Sequence, residues 1–178
     1  YGLLNERLIA AHAVHADGED LALLSAAGVK VAHCPRSNAR LHNGRAPLQS
    51  LIEAGIKLGL GTDSLGSCDD LSPLSEAQFA FNLHRAAEPL CKLSCKEIVQ
   101  LITTFAAQAI GWSDRIGSLE PGKLADLAVF ALPPAPLSEE EKQSINPYDL
   151  LICGGARLRD LVVSGEFIVS DGKLTRRW

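Results

Sequence analysis

The sequence predicts an α/β fold with a parallel sheet, and three observations carry that prediction. Short apolar segments of strand length alternate with segments of about ten to fifteen residues in which leucines recur at helical spacing. The apolar segments are continuous rather than alternating, which is typical of strands buried on both faces of a parallel sheet. Each one ends beside a polar residue, and the carboxyl ends of parallel strands are where α/β proteins place their chemistry.

The first two β/α units occupy the N-terminal third of the chain. Strands are predicted at 8–13 and 29–34, ending beside His12 and His33. Asp17 suits the N-cap of the intervening helix. The apolar face of that helix is expected to comprise three leucines, Leu21, Leu23 and Leu24.

Turn-forming residues over 36–47 predict a loop after the second strand, because Pro35 ends the strand. A third unit follows, in which a short helix precedes a strand at 56–62 that leads to Asp63. Two longer helices are then predicted over 74–87 and 94–111. The second of them opens with a capping box of serine and glutamate three residues apart.

The character of the sequence changes near residue 113, so we predict one domain over 1–113 and a second over 114–178. The second domain begins with a turn and a strand in the sequence GSLEPGKLADLAVF. A proline-rich, acidic stretch at 133–146 is expected to be a solvated excursion. In residues 160–175, polar and apolar side chains alternate on either side of two short turns, which is typical of β-hairpins.

Composition excludes several classes of function. The 178 residues carry 17 basic and 21 acidic side chains, a net charge of −4, so no broad positive surface for nucleic acid is expected. The sequence has no apolar run of the ~20 residues that a membrane helix needs, and we predict neither a membrane segment nor a signal peptide. Five cysteines without a C-x-x-C pair predict reduced thiols and a cytoplasmic location.

Polar residues at the strand ends predict a metal-dependent active site. His12, His15, His33 and Asp63 offer the nitrogen and oxygen ligands that a catalytic divalent ion such as Zn²⁺ prefers. Such an ion lowers the pKa of a bound water to about 7, and a nearby carboxylate or imidazole takes its proton. Asp63 suits two roles, because a carboxylate can bind the metal through one oxygen and accept the proton on the other. The preferred interpretation of His33 is a hydrogen bond that orients a neighbour.

Other polar residues have two interpretations each. Arg36, Ser37 and Asn38 either cap the following helix or line a pocket above the second strand. His84 lies in the middle of a predicted helix and is expected to be structural. Cys91 and Cys95 could supply half of a metal site, but no second pair completes it, and core thiols are preferred.

Four motifs in order resemble the amidohydrolase superfamily, in its deaminase and chlorohydrolase branch. They are A-H-x-V-H ending at His15, A-H-C-P-x-S-N at 32–38, G-x-A-P at 44–47 and A-G-x-x-x-G-L-G-T-D-S at 54–64. The resemblance covers essentially the whole chain. It implies the C-terminal part of a TIM (β/α)₈ barrel, strands six to eight, followed by a segment of a small β-sandwich.

A complete barrel takes roughly 200–250 residues, so more than half of one lies outside this sequence. The chain starts at Tyr1 and contains no methionine, and we expect it to be a portion of a longer enzyme. In such a portion, strand six would present an unpaired edge.

The resemblance also implies residue roles. Asp63 falls on the aspartate that binds the metal and shuttles the proton of the attacking water, and His12 on the histidine beside that water, with a place at the metal. Zinc is expected, with iron as the alternative. Three of the family's usual four ligands have no counterpart here, so this chain alone is expected to hold the ion weakly or not at all. The residues predicted to bind substrate are His15, Arg36, Asn38 and Ser64.

The implied activity is hydrolytic deamination of an aminopurine nucleoside-like or related heterocyclic substrate. Two alternatives stay open: a non-catalytic half-barrel that acts as a scaffold or interface, and a chlorohydrolase or other C–N hydrolase. The expected partner is a small heterocyclic molecule rather than nucleic acid or a membrane. By analogy alone, a homodimer is compatible with the resemblance.

Overall fold

A computed structural model of the protein describes residues 2–88, 90–133 and 144–175. No helix within these ranges is long and apolar enough to cross a bilayer. In chain order the elements are β1 (Ile9–Ala11), α1 (Gly18–Ala26), β2 (Lys30–His33), α2 (Pro35–Arg40), α3 (Leu48–Glu53), β3 (Leu58–Leu60), α4 (Pro73–Ala87), α5 (Cys95–Gln100), α6 (Thr104–Ala109), β4 (Leu127–Ala131), α7 (Pro147–Cys153), β5 (Arg157–Val163), β6 (Glu166–Ser170) and β7 (Lys173–Leu174).

The first three strands form a parallel sheet in the order β1-β2-β3, which confirms the predicted β/α arrangement. β2 is the central strand, and its Val31 is fully buried. The main apolar core lies against this sheet and is built largely from helices α3 and α5 and the residues that flank them. Its largest fully buried side chains are Leu48, Leu51, Ile98 and Leu101.

The remaining strands form an antiparallel sheet in the order β4-β5-β6-β7. The predicted hairpins are confirmed, because β5 pairs with β6 and β6 with β7. The first hairpin turns at Ser164 and Gly165, which both have positive φ, as a tight turn between twisted strands requires. Most of the excursion expected at 133–146 lies outside the described residues. Helix α7, which the sequence analysis did not foresee, packs against α4 and α5.

Three local predictions were wrong. Helix α2 occupies part of the expected loop over 36–47, because Pro35 stands at the first helical position, where its fixed φ favours a helix. The helix expected over 94–111 is two helices, since the Leu101 carbonyl leaves the helical direction and accepts the Leu60 N–H of β3 at 2.9 Å. On α1, Leu23 is exposed rather than part of the apolar face.

Candidate active site

The candidate site lies at the carboxyl ends of β1 and β3, where the backbone adopts an unusual conformation. His12 directly follows β1 with φ at 70°, and Ala13 after it has φ at 49°. Asp63, three residues beyond β3, has φ at 59°. Residues with a Cβ pay roughly 1–2 kcal/mol in this left-handed region, and such conformations cluster at functional sites. The strand ends therefore carry strain at the two residues that the sequence singled out.

The Asp63 carboxylate is exposed and held by two hydroxyl groups. The Ser37 and Ser67 hydroxyls donate to its Oδ2 at 2.6 and 2.9 Å. These two hydrogen bonds, followed by the positive potential of His12, lower the pKa of Asp63 below its ordinary value. Both serines are buried, so they anchor one oxygen of a side chain that otherwise faces solvent. Asp63 is consequently an oriented carboxylate that is ionised at neutral pH.

His12 is held by Asn38. Its Nδ1 lies 2.8 Å from the Asn38 Oδ1, and Asn38 itself is buried within α2. Consecutive residues of α2, Ser37 and Asn38, therefore contact the two leading candidates, Asp63 and His12.

Arg36 makes a different set of contacts. Its Nε donates to Oε2 of Glu76 at 2.5 Å, and its terminal nitrogen donates to Asp70 at 2.9 Å. The Arg36 backbone N–H donates to the other oxygen of Glu76, which is fully buried in α4. Arg36 thus ties α2 to α4 and to the loop after β3, and the prediction that it binds substrate stays a prediction.

An open cleft of about 550 Å³ lies beside β1. His12 and His15 line it together with apolar side chains of α1 and the N-terminal segment, such as Leu24 and Leu4. Asp63 and Ser64 are exposed, but neither lines this cleft. The structure accordingly places two of the predicted substrate-binding residues in different surroundings, with His15 at the cleft and Ser64 beside the carboxylate.

His33, the histidine at the end of β2, contacts another buried histidine rather than the candidate site. Nε2 of His33 lies 3.0 Å from Nε2 of His84, and both rings are almost completely buried. Burial lowers the pKa of His33 to about 3 and that of His84 to about 4. Both imidazoles are therefore neutral at physiological pH, in line with the expectation that His33 forms an orienting hydrogen bond and that His84 is structural.

The described residues do not form a complete metal site. Within the described ranges, no group of three or more histidine, cysteine or acidic side chains is placed to hold an ion. A catalytic zinc takes three protein ligands as a rule, and Asp63 offers one carboxylate of the right chemistry.

Sequence reasoning missed the partners that hold the candidate groups. It gave Ser37 no role toward Asp63, and it did not consider Ser67 or Glu76 at all. Ser67 stands in a loop with other serines and carried no distinguishing signal. Glu76 resembled an ordinary acidic residue in the first turn of a helix, and only its complete burial shows that it is an internal partner.

A parallel β/α sheet with an oriented carboxylate and a histidine at its strand ends defines an α/β protein whose polar groups lie at the carboxyl ends of its strands. Residues 1–171 match the Amidohydrolase family, and the chain belongs to that family. A 5-methylthioadenosine/S-adenosylhomocysteine deaminase from Natronomonas pharaonis is 36% identical over 171 residues, which cover 96% of this chain and 39% of the relative. An S-triazine hydrolase from Gordonia rubripertincta is 33% identical, covering 98% of this chain and 36% of the relative.

Solved structures show the same relationship. An adenosine deaminase from Xanthomonas campestris with bound zinc superposes with a TM-score of 0.87 at 33% identity, over 99% of this chain and 40% of that one. A mutant atrazine chlorohydrolase from Arthrobacter aurescens, in complex with zinc and atraton, has a TM-score of 0.86 at 30% identity, over 98% of this chain and 38% of that one. The chain therefore spans about two fifths of the relatives that it matches.

Proposed function

We propose that this chain is the C-terminal portion of a metal-dependent amidohydrolase that deaminates an aminopurine nucleoside-like or related heterocyclic substrate. In this proposal β1 to β3 are strands six to eight of a barrel, and residues 114–178 belong to a small β-sandwich domain. The observation that carries it is the pair of strained strand ends, where the anchored Asp63 carboxylate and His12 are both held by α2. Family membership supports the reaction class.

In the proposed reaction, the residues of this chain orient the attacking water and transfer its proton. The other oxygen of Asp63, Oδ1, accepts a proton from the attacking water while its Oδ2 stays anchored by two serines. A C–O bond then forms at the amidine carbon, and Asp63 returns the proton to the departing nitrogen, so that the C–N bond breaks and ammonia leaves. His12 stands beside the attacking water and orients it by accepting a hydrogen bond.

A divalent ion, zinc as in two of the solved relatives, would supply a water of lowered pKa when bound. Asp63 is the residue of this chain that would hold it, and His12 is proposed to stand beside it. The other ligands would come from outside these 178 residues. His15 and Ser64 are proposed to contact the substrate from the rim of the site.

One specific observation supports a second candidate, a triazine-type hydrolase. An S-triazine hydrolase and an atrazine chlorohydrolase are similar to the chain at 33% and 30% identity, close to the values for the deaminases. Release of ammonia from aminopurine nucleosides, against release of chloride or an amine from triazines, separates the two candidates.

The test is the substitution Asp63→Asn in the natural protein that contains this sequence, purified at the length at which it is made. Asparagine keeps the size of the side chain but cannot take up the proton, so turnover should fall by at least the 10²–10⁴-fold typical of a lost general base. The matched control is Asp114→Asn, an exposed aspartate away from the site, which should retain activity. Normal kcat in folded Asp63→Asn protein would refute the role of Asp63.

A further inference from the structure

Asn38 is a buried amide whose two ends have different surroundings. It is 1% exposed, and its Oδ1 lies 2.8 Å from Nδ1 of His12. Its Nδ2 is buried and has no hydrogen-bond partner in the described part of the chain. An unpaired buried amide nitrogen destabilises the folded state, so the orientation that leaves Nδ2 unpaired needs a reason.

We propose that Asn38 is a positioning residue that fixes the tautomer of His12, an inference that rests on the proposed function for its consequence but not for its geometry. A carbonyl oxygen can only accept, so His12 must carry its proton on Nδ1 to bond with Oδ1. In the neutral ring this leaves the lone pair on Nε2. Nε2 is then available to accept a hydrogen bond or to bind a cation.

The position of Asn38 is itself fixed by the surrounding backbone. Its N–H donates to the Cys34 carbonyl at 3.0 Å, and its own carbonyl accepts the Asn43 N–H at 2.9 Å. Two residues earlier, Arg36 anchors α2 to the buried Glu76. The backbone of Asn38 is therefore held at both its N–H and its carbonyl, which fixes the point from which its amide reaches His12.

Helix α2 consequently sets both candidate groups at once. Ser37 directs its hydroxyl to Asp63, and the next residue directs its amide to His12. The left-handed backbone at His12 keeps that ring within reach of α2, since φ is 70° at a residue for which this conformation is costly. A single helical turn thus couples the orientation of the carboxylate to the tautomer of the imidazole.

The competing arrangement is a reversed amide. A half-turn of the Asn38 side chain would bring Nδ2 to Nδ1 of His12, which would then be the acceptor, with the proton on Nε2. The two arrangements predict opposite tautomers, so a direct measurement of the tautomer decides between them.

The experiment is a long-range ¹H–¹⁵N correlation spectrum of the imidazole rings in the ¹⁵N-labelled chain, at a pH of about 8.5, where an ordinary imidazole is neutral. The chain has five histidines, and the exposed His15 and His42 serve as internal references. His12 should show a protonated Nδ1 and an unprotonated Nε2. In Asn38→Leu this preference should be lost, and in Asn38→Asp, which retains an acceptor, it should persist. Unchanged signals of the buried His33–His84 pair confirm that each variant is folded.

A protonated Nε2 on His12 in the unaltered chain would overturn the inference, as would an Asn38→Leu spectrum in which the His12 tautomer is unchanged. In the active natural protein, Asn38→Leu should lower kcat 10–100-fold, the usual effect of losing a group that orients a ligand, and Asn38→Asp should restore part of it. Absence of deaminase activity together with the expected spectra would refute the proposed function and leave the tautomer inference standing.

Discussion

Replacing Arg36 by leucine should destabilise the protein strongly, because the buried Glu76 carboxylate would lose its counter-charge. The Glu76 side chain is 1% exposed, and Arg36 supplies its counter-charge through Nε at 2.5 Å. Breaking a buried ion pair by removing one partner costs about 3–5 kcal/mol. The Arg36 backbone N–H, which the substitution retains, still donates to Glu76, so the lower end of that range, about 3 kcal/mol, is expected.

The assay is urea unfolding followed by circular dichroism. With a denaturant slope of about 1–3 kcal/mol per molar urea, a loss of about 3 kcal/mol lowers the midpoint by about 1–3 M. Arg40→Leu is the matched control, because Arg40 lies in the same helix and pairs with the 90% exposed Asp69. That surface pair should contribute less than about 1 kcal/mol. Adding Glu76→Gln to Arg36→Leu should recover part of the loss.

Equal midpoints for Arg36→Leu and Arg40→Leu would refute the reasoning. Arg36 would then not be needed to neutralise Glu76, and its predicted role in binding substrate would become the better explanation of the residue.

Two further predictions concern pH and packing. The pKa values of His33 and His84 in the folded protein are about 3 and about 4, below the unfolded value of about 6.5. Between the folded and unfolded pKa values the unfolded chain binds more protons than the folded one. The free energy of unfolding therefore falls as the pH is lowered from about 6.5 toward these folded pKa values. His33 alone should cost about 2 kcal/mol at pH 5 relative to pH 8, and urea midpoints that do not differ between these pH values would contradict this. Gly59→Ala should cost about 1–3 kcal/mol, because its Cβ would lie 2.9 Å from the Ala106 backbone. Thermal unfolding of the two variants checks this prediction, with Gly18→Ala as the control. A Cβ at Gly18 meets no atom within 4 Å, so that variant should unfold at the same temperature as the unaltered chain.

Much of the fold was predictable because its signals are local. Continuous apolar segments predicted the parallel strands β1 to β3, although Ile9 and Ala11 of the edge strand β1 are exposed rather than buried. The capping box at Ser94 and Glu97 is present as expected. Helix α2 was missed because Pro35 both ends a strand and begins a helix, and the sequence shows only the first role. The long helix over 94–111 was divided by a contact that no local pattern encodes, the bond from Leu60 of β3 to the Leu101 carbonyl.

The candidate site also contains residues that the sequence predicted and partners that it did not. Asp63 and His12 were found from their positions at the ends of apolar strands, where parallel sheets place polar groups. Their partners could not be found so, because Ser37 and Asn38 stand 26 residues from the groups that they hold.

The sequence by itself determined the alternation of strands and helices, the polar strand ends and the family to which the chain belongs. Tertiary structure alone decided which side chains meet. Successive side chains on a helix point about 100° apart, so Arg36, Ser37 and Asn38 face three different neighbours once α2 starts at Pro35. Shifting that start by one residue would redirect all three, and for this reason hydrogen-bond partners depend on the packed structure rather than on composition or periodicity.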